Sequence, residues 1–235
     1  MSRTTAPEGF DAALELVEGV FEAHLARVRE IAALVVAAAA EGPLTEQAIE
    51  PLRDRVVGWL ATGDVAWGYG FVGAPGVVDG KTRYLFWFQR SERDVRRLQV
   101  NFDIEDVNAY DYLNMEWYDA AEQRRRAVVH GPWVDYTGSG QYVLTATIPV
   151  VHDGRFLGVA GSDLLVSGLE NQVLPALKRV QAEALLVNAN RQVVVSNSPQ
   201  WIPGDRLRTH PLDGDTFRTA VPVAPDTGWA LAVPR

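Results

Sequence analysis

Apolar residues recur at intervals of three and four along the start of the chain: Phe10, Leu14, Val17, Phe21, Leu25, Val28, Ile31 and Leu34. That period puts them on one stripe of a long helix over residues 8–40. Gly42-Pro43 ends it, and Thr45 is a suitable N-cap for a second helix over 45–61. The near-heptad spacing also suits pairing with another helix. We therefore expect the stripe to serve both as the inner face of a helical layer and as a dimer seam.

From Val65 the period shortens to two. Ala66 to Val72 alternates large and small residues, and Arg83 to Gln89 is a strand rich in aromatics. Leu98, Val100, Phe102 and Ile104 alternate with polar neighbours and predict a further strand. Residues 106–126 read as a helix bearing Tyr110, Tyr112, Met115, Trp117 and Tyr118. Trp133 to Tyr136, a turn at 137–140, and Tyr142 to Val151 form a hairpin. His152-Asp153-Gly154 then turns the chain into Arg155 to Leu165. A helix over 169–182 is followed by strands at 184–188, 192–196, 216–222 and 228–233. Helices followed by a mostly antiparallel sheet indicate an α+β fold. The organisation expected is a helical segment over 1–62 and one continuous unit over 63–235, with no linker long enough to force another boundary.

Composition narrows the chemistry. The 235 residues are 47% hydrophobic and 22% charged, which is ordinary for a globular protein with a real core. Cysteine is absent, so no disulfide, thiolate nucleophile or thiolate metal site exists. The formal net charge of −8 disfavours direct nucleic-acid binding. Arg124-Arg125-Arg126 is a compact basic run best read as a solvated helix end. No leader is visible, and the longest apolar run, Ile31 to Ala40, is too short to span a bilayer. These features imply no membrane partner and a cytoplasmic location. His24, His130, His152 and His210 lack the short helical spacing of a metal site. Gly138-Ser139-Gly140 lies between strands, so it is no phosphate cradle. Neither Ser139 nor Ser162 has the setting of an activated nucleophile. No cofactor is implied.

Several pieces, in order, resemble the Cache (PAS-like, PDC) sensor family over roughly residues 60–235. They are the helix from Tyr110 to Tyr118, Pro132-Trp133-Val134-Asp135-Tyr136, the strand Tyr142 to Val150, Phe156 to Leu164, and Thr227 to Val233. In members that bind amino acids, a Tyr is followed by Arg-x-Trp-Tyr and later by an Asp. The Arg grips the ligand carboxylate and the Asp its ammonium. Tyr110, Trp117, Tyr118 and Asp163 match those places, and Met115 stands where the Arg would be. The resemblance implies a ligand-binding sensor, a small amine lacking a carboxylate at that place, and a dimer through the N-terminal helix. With no output segment apparent in the chain, a separate effector or transcription regulator would read the signal.

The residues agree on sign. A buried ammonium needs a counter-charge or acceptors, and aromatic faces attract cations. The candidate ligand-binding set is Tyr110, Met115, Trp117, Tyr118, Trp133, Tyr136 and Asp163. Each has a plainer reading. Aromatic rings are commonly core, Asp163 could cap a helix, and Asp135 reads as a turn residue. Trp67, Trp87 and Trp229 read mainly as core, although Trp87 lies on a strand that could floor the pocket. A scaffold with a vestigial pocket, or an enzyme using Asp135 and Asp163 as acid and base, are the alternatives.

Overall fold

The structure is a computed structural model describing residues 6–62, 66–91, 94–136, 138–224 and 227–235. Its mixed helical and antiparallel architecture is the α+β class the pattern predicts. Helix α1 runs Phe10–Glu41, and the short helix α2 (Glu46–Ile49) and α3 (Leu52–Ala61) follow. Thr45 caps α2 by accepting a hydrogen bond from the Ala48 amide at 3.1 Å. Pro51 divides the helix expected over 45–61, because it lacks an amide hydrogen to continue the ladder.

Compactness groups the chain into two units, Met1–Ala23 with Ser167–Arg235, and His24–Val166. The second contains a six-stranded antiparallel sheet in the order β3-β2-β1-β6-β5-β4. These strands are β1 (Ala66–Gly73), β2 (Tyr84–Arg90), β3 (Val95–Arg97), β4 (Val128–Val134), β5 (Tyr142–His152) and β6 (Arg155–Leu165). Helix α4 (Glu116–Arg124) precedes β4. The other unit holds α5 (Val166–Leu177) and a four-stranded sheet ordered β8-β7-β10-β9. Its strands are β7 (Leu185–Val187), β8 (Val193–Ser196), β9 (Phe217–Val223) and β10 (Trp229–Pro234). There Trp229 is fully buried and its ring meets Phe21 at 5.1 Å.

The six-stranded sheet has two unlike faces, because alternate residues of a strand point opposite ways. Tyr69 and Phe71 of β1, Phe86 and Phe88 of β2, and Ala160 of β6 pack with Val28, Ile31 and Val35 of α1 and Val56 and Leu60 of α3. The apolar stripe of α1 is therefore core: of its members, Phe10, Val17, Phe21, Leu25, Val28 and Ile31 are buried. Val72, Leu85, Trp87 and Val159 face the other way, among Tyr110, Tyr112, Trp117 and Tyr118.

Two expected elements differ. Residues 98–104 form no strand, and the helix expected over 106–126 begins only at Glu116. Side chains explain both. Asn101 accepts from the Asp103 amide, Asp103 from Glu105, and Asp106 from Asn108. Such Asx turns offer the backbone an alternative to strand or helix. Met115, extended at φ −85° and ψ 137°, marks the true start of α4.

Candidate functional site

Three residues fix the loop that crosses the second face of the sheet. The Tyr112 hydroxyl donates to the Gly73 carbonyl at 2.7 Å and accepts from the Tyr84 amide at 3.1 Å, pinning the loop to the end of β1 and β2. Arg83 pairs with Asp111 at 2.6 Å, and Asn114 donates to the same carboxylate. Thr147 of β5 donates to the Trp117 carbonyl at 3.1 Å, which seats α4 over the sheet. The result is an aromatic layer: Tyr118 meets Tyr112 at 5.2 Å, Phe156 at 5.8 Å and Trp117 at 6.0 Å between ring centroids.

Beneath it lies one cross-sheet row. Register places Gln89, Gly68, Asp163, Thr145 and His130 side by side on β2, β1, β6, β5 and β4. The neighbouring row is Trp87, Gly70, Gly161, Thr147 and Val128. The glycines matter because the Trp87 indole lies across them. A Cβ on Gly161 would stand 3.2 Å from the ring, and one on Gly68 would collide with its Nε1 edge. Trp87 is 5% exposed and floors this face, so a residue read mainly as core carries that position.

Asp163 lies inside β6, not at a helix start. Its Oδ1 accepts from Thr145 Oγ1 at 2.7 Å, and Thr145 Oγ1 accepts from Trp133 Nε1 at 3.0 Å. Burial pushes the Asp163 carboxyl up to about 8, nearby Asp135 adds to the rise, and the Thr145 hydrogen bond opposes it. Asp135 is 2% exposed and caps the turn after β4 by accepting from the Ser139 amide at 2.6 Å. Its Oδ1 is buried without a partner, and burial raises its pKa. The Tyr110 hydroxyl is held far above the usual phenol range by burial, then by the charges of Asp135 and Asp163. Burial lowers the His130 pKa, with Glu116 at 3.3 Å opposing. Among the described residues, no ion pair reaches Asp135 or Asp163.

Tyr110, Trp117, Tyr118 and Met115 thus gather on this face, with Trp133 and Asp163 joined through Thr145. Tyr136 does not join them; it is 84% exposed. The sequence reading missed Gln89, whose buried Oε1 has no partner, and Thr145. Pairing register would have found both, since Thr145 stands beside Asp163 and Gln89 lies in the same cross-sheet row beyond Gly68. Gln89 and Ser139 also line a cleft of about 390 Å³ with Trp67, Arg90, Arg96 and Gln141. The arrangement presents carboxylate, carboxamide and ring faces together. Its chemistry suits holding a cation. Among the described residues, no group of His, Asp and Glu could hold a metal ion.

Residues 60–171 match the family model described as methyl-accepting chemotaxis protein-like, first PDC sensor domain. Over those residues, just under half of the chain, the sequence is similar to a PDC, or Cache, sensor domain. Solved structures share the fold across nearly the whole chain. One is methyl-accepting chemotaxis protein X, at 16% identity and a TM-score of 0.65, covering 96% of this chain and 97% of its own. Another is the ligand-binding domain of the Pseudomonas aeruginosa PAO1 amino acid chemoreceptor PctC in complex with GABA, at 19% identity and a TM-score of 0.61, covering 97% and 96%. A third is the extracellular domain of mmHK1S-Z3, assigned as a histidine kinase, at 14% identity and a TM-score of 0.63, covering 96% and 91%.

These matches correct the expected cytoplasmic location. The family model is that of a methyl-accepting chemotaxis protein-like sensor domain, and the solved structures of similar fold include an extracellular domain. Among the described residues no helix is long and apolar enough to cross a membrane, a property a folded sensor domain has on either side of one.

Proposed function

We propose that this chain is an extracytoplasmic ligand-binding sensor domain whose ligand is a small amine, primary or quaternary, without a carboxylate at the Met115 end. One observation carries the reading: Asp163 is buried beside a second acid, Asp135, with no cationic side chain paired to either among the described residues. An incoming ammonium supplies the missing charge, which a buried carboxylate requires in order to ionise. Trp87, Tyr110, Trp117 and Trp133 supply faces, each worth roughly 0.5–2 kcal/mol to a desolvated cation.

The PctC relative is described as an amino acid receptor and was solved with GABA. An amino acid carries a carboxylate that wants a planar guanidinium partner. Here Met115 is a partly buried thioether packed against the aromatic cluster. That difference favours amines over amino acids. We read the chain as binding its ligand rather than turning it over.

Output passes to a partner in this reading. The outward side of α1 supports a homodimer through that helix, the occupant being a second copy. Ala12, Leu16, Gly19, Ala23, Ala26, Ala33, Ala37 and Ala40 are all exposed and fall at heptad-like steps. A ligand biases such an assembly only through unequal affinity for its two states.

The test is calorimetry and thermal shift on the whole chain against primary amines, diamines, betaines, amino acids and organic acids. A specific amine should stabilise by about 2.7 kcal/mol at a hundredfold excess over Kd. Asp163→Asn should keep its fold and lose the response. Binding of organic acids in place of amines, or full binding by Asp163→Asn, would overturn the reading.

A further inference from the structure

The Asp163 carboxyl is reached by one fixed chain of donors, and its direction is settled by chemistry. An indole N–H can only donate, so Trp133 Nε1 donates to Thr145 Oγ1 at 3.0 Å. A hydroxyl has a single hydrogen. One of its two lone pairs accepts from the indole, and Thr145 directs that hydrogen to Asp163 Oδ1 at 2.7 Å. Thr145 is 3% exposed and stands directly opposite Asp163, itself buried, in the β5–β6 ladder. Trp133 sits one pair further along the same face of β4, opposite Val143, just past the bulge that follows His130.

We propose that Trp133 is a positioning residue for the amine site: its N–H locks the Thr145 rotor so that Asp163 offers Oδ2, with Oδ1 already engaged, to the cation. The inference rests on Asp163 as the ammonium partner. It gives Trp133 a role beyond the ring face expected of it.

Two things follow. In the empty protein the proton of the acid belongs on Oδ2, because Oδ1 is occupied as an acceptor. An ammonium arriving at Oδ2 therefore takes the place of that proton, which leaves to solvent as the carboxylate forms. The ionisable groups around this exchange are Asp135 after β4, Tyr110 on the crossing loop, His130 opposite Thr145, and Glu116 of α4 beside His130. Arg90 and Arg96 line the adjoining cleft. Burial, then Asp135, oppose loss of the proton, and the Thr145 hydrogen bond favours it. Without the indole N–H the hydroxyl is free to turn, and the ionised acid loses a committed donor.

The experiment compares Trp133→Phe, Thr145→Val and the double variant. Two readouts are taken on the whole chain: the Asp163 carboxyl titration by carbon-13 NMR without ligand, and amine Kd by calorimetry. Each single variant should move the titration midpoint upward and weaken amine binding about tenfold to a hundredfold, the scale of one hydrogen bond to a charged group. The double variant should be no worse than Thr145→Val alone, since the indole acts through the hydroxyl. A midpoint that does not move in Trp133→Phe overturns the positioning role, whatever the amine does. Additive losses in the double variant overturn it too, because they would mean the ring acts directly on the cation. A midpoint that moves in a protein binding no amine upholds the positioning role and removes the ligand reading instead.

Discussion

The two faces of the six-stranded sheet are made by the same strands and serve opposite ends. Toward α1 and α3, Tyr69, Phe71, Phe86, Phe88 and Ala160 form a conventional core. Tyr69 has its hydroxyl matched there, with His24 Nδ1 at 3.0 Å. Orphan hydroxyls remain at Ser162 and Tyr84, but among the described residues that face has no buried carboxyl. One residue along each strand, the other face buries Asp163, Gln89 and the Trp87 indole, with polar atoms of Gln89 and Trp87 unmatched. Buried polar groups are normally paired. Both faces leave polar atoms unpaired, but among the described residues a buried acid stands beside them on this one alone.

Substitutions can break or sharpen this contrast, and the largest effect should come from the helix face. Phe71→Ala or Phe86→Ala should cost about 3–5 kcal/mol in urea unfolding, the usual range for a buried ring. Asp163→Leu should cost little stability and abolish amine binding by calorimetry. Removing a buried acid without a counter-charge removes a liability as well as a contact. A loss of stability as large as that of Phe71→Ala would erase the distinction between the faces.

Next in size is a pH effect. The folded Asp163 carboxyl, at about 8, lies above the unfolded value near 4. Between those limits the folded state holds the extra proton. This group's contribution is therefore full below about pH 4 and lost as pH rises toward about 8. The difference in melting temperature between wild type and Asp163→Asn should fall across that window. Amine affinity should rise over the same window, by up to tenfold per pH unit. Gly161→Ala is subtler: its Cβ would stand 3.2 Å from the Trp87 ring, so the ring must shift by a few tenths of an ångström. Ligand affinity should drop severalfold, seen by calorimetry, with a smaller change in melting temperature. Smallest is Tyr136→Ala, at a residue 84% exposed, where stability should change by less than about 0.5 kcal/mol.

Much of this was legible in the chain itself. The period of α1, the cap at Thr45 and most of the strands follow from local pattern, and Tyr110, Trp117, Tyr118 and Asp163 were singled out by the family resemblance. Three things did not. Residues 98–104 alternate like a strand, yet the side chains of Asn101, Asp103 and Asp106 bind nearby amides and curl the backbone instead. The pairing of Asp163 with Thr145, and the lateral position of Gln89, depend on register between strands far apart in sequence. Tyr136, expected in the ligand-binding set, lies just past the end of β4 and is 84% exposed. Asp135 read correctly as a turn residue, and its burial next to a second acid required three dimensions.

The bare stretch of backbone under Trp87 has a mechanical consequence. With glycine at 68, 70 and 161 there is no cushion of side chains between the indole and the main chain of β1 and β6. Any molecule that tips this plate leans directly on the peptide groups of the two central strands. Their reverse sides carry the residues that grip α1, so the shortest route for force from one surface to the other is a single layer of backbone thick.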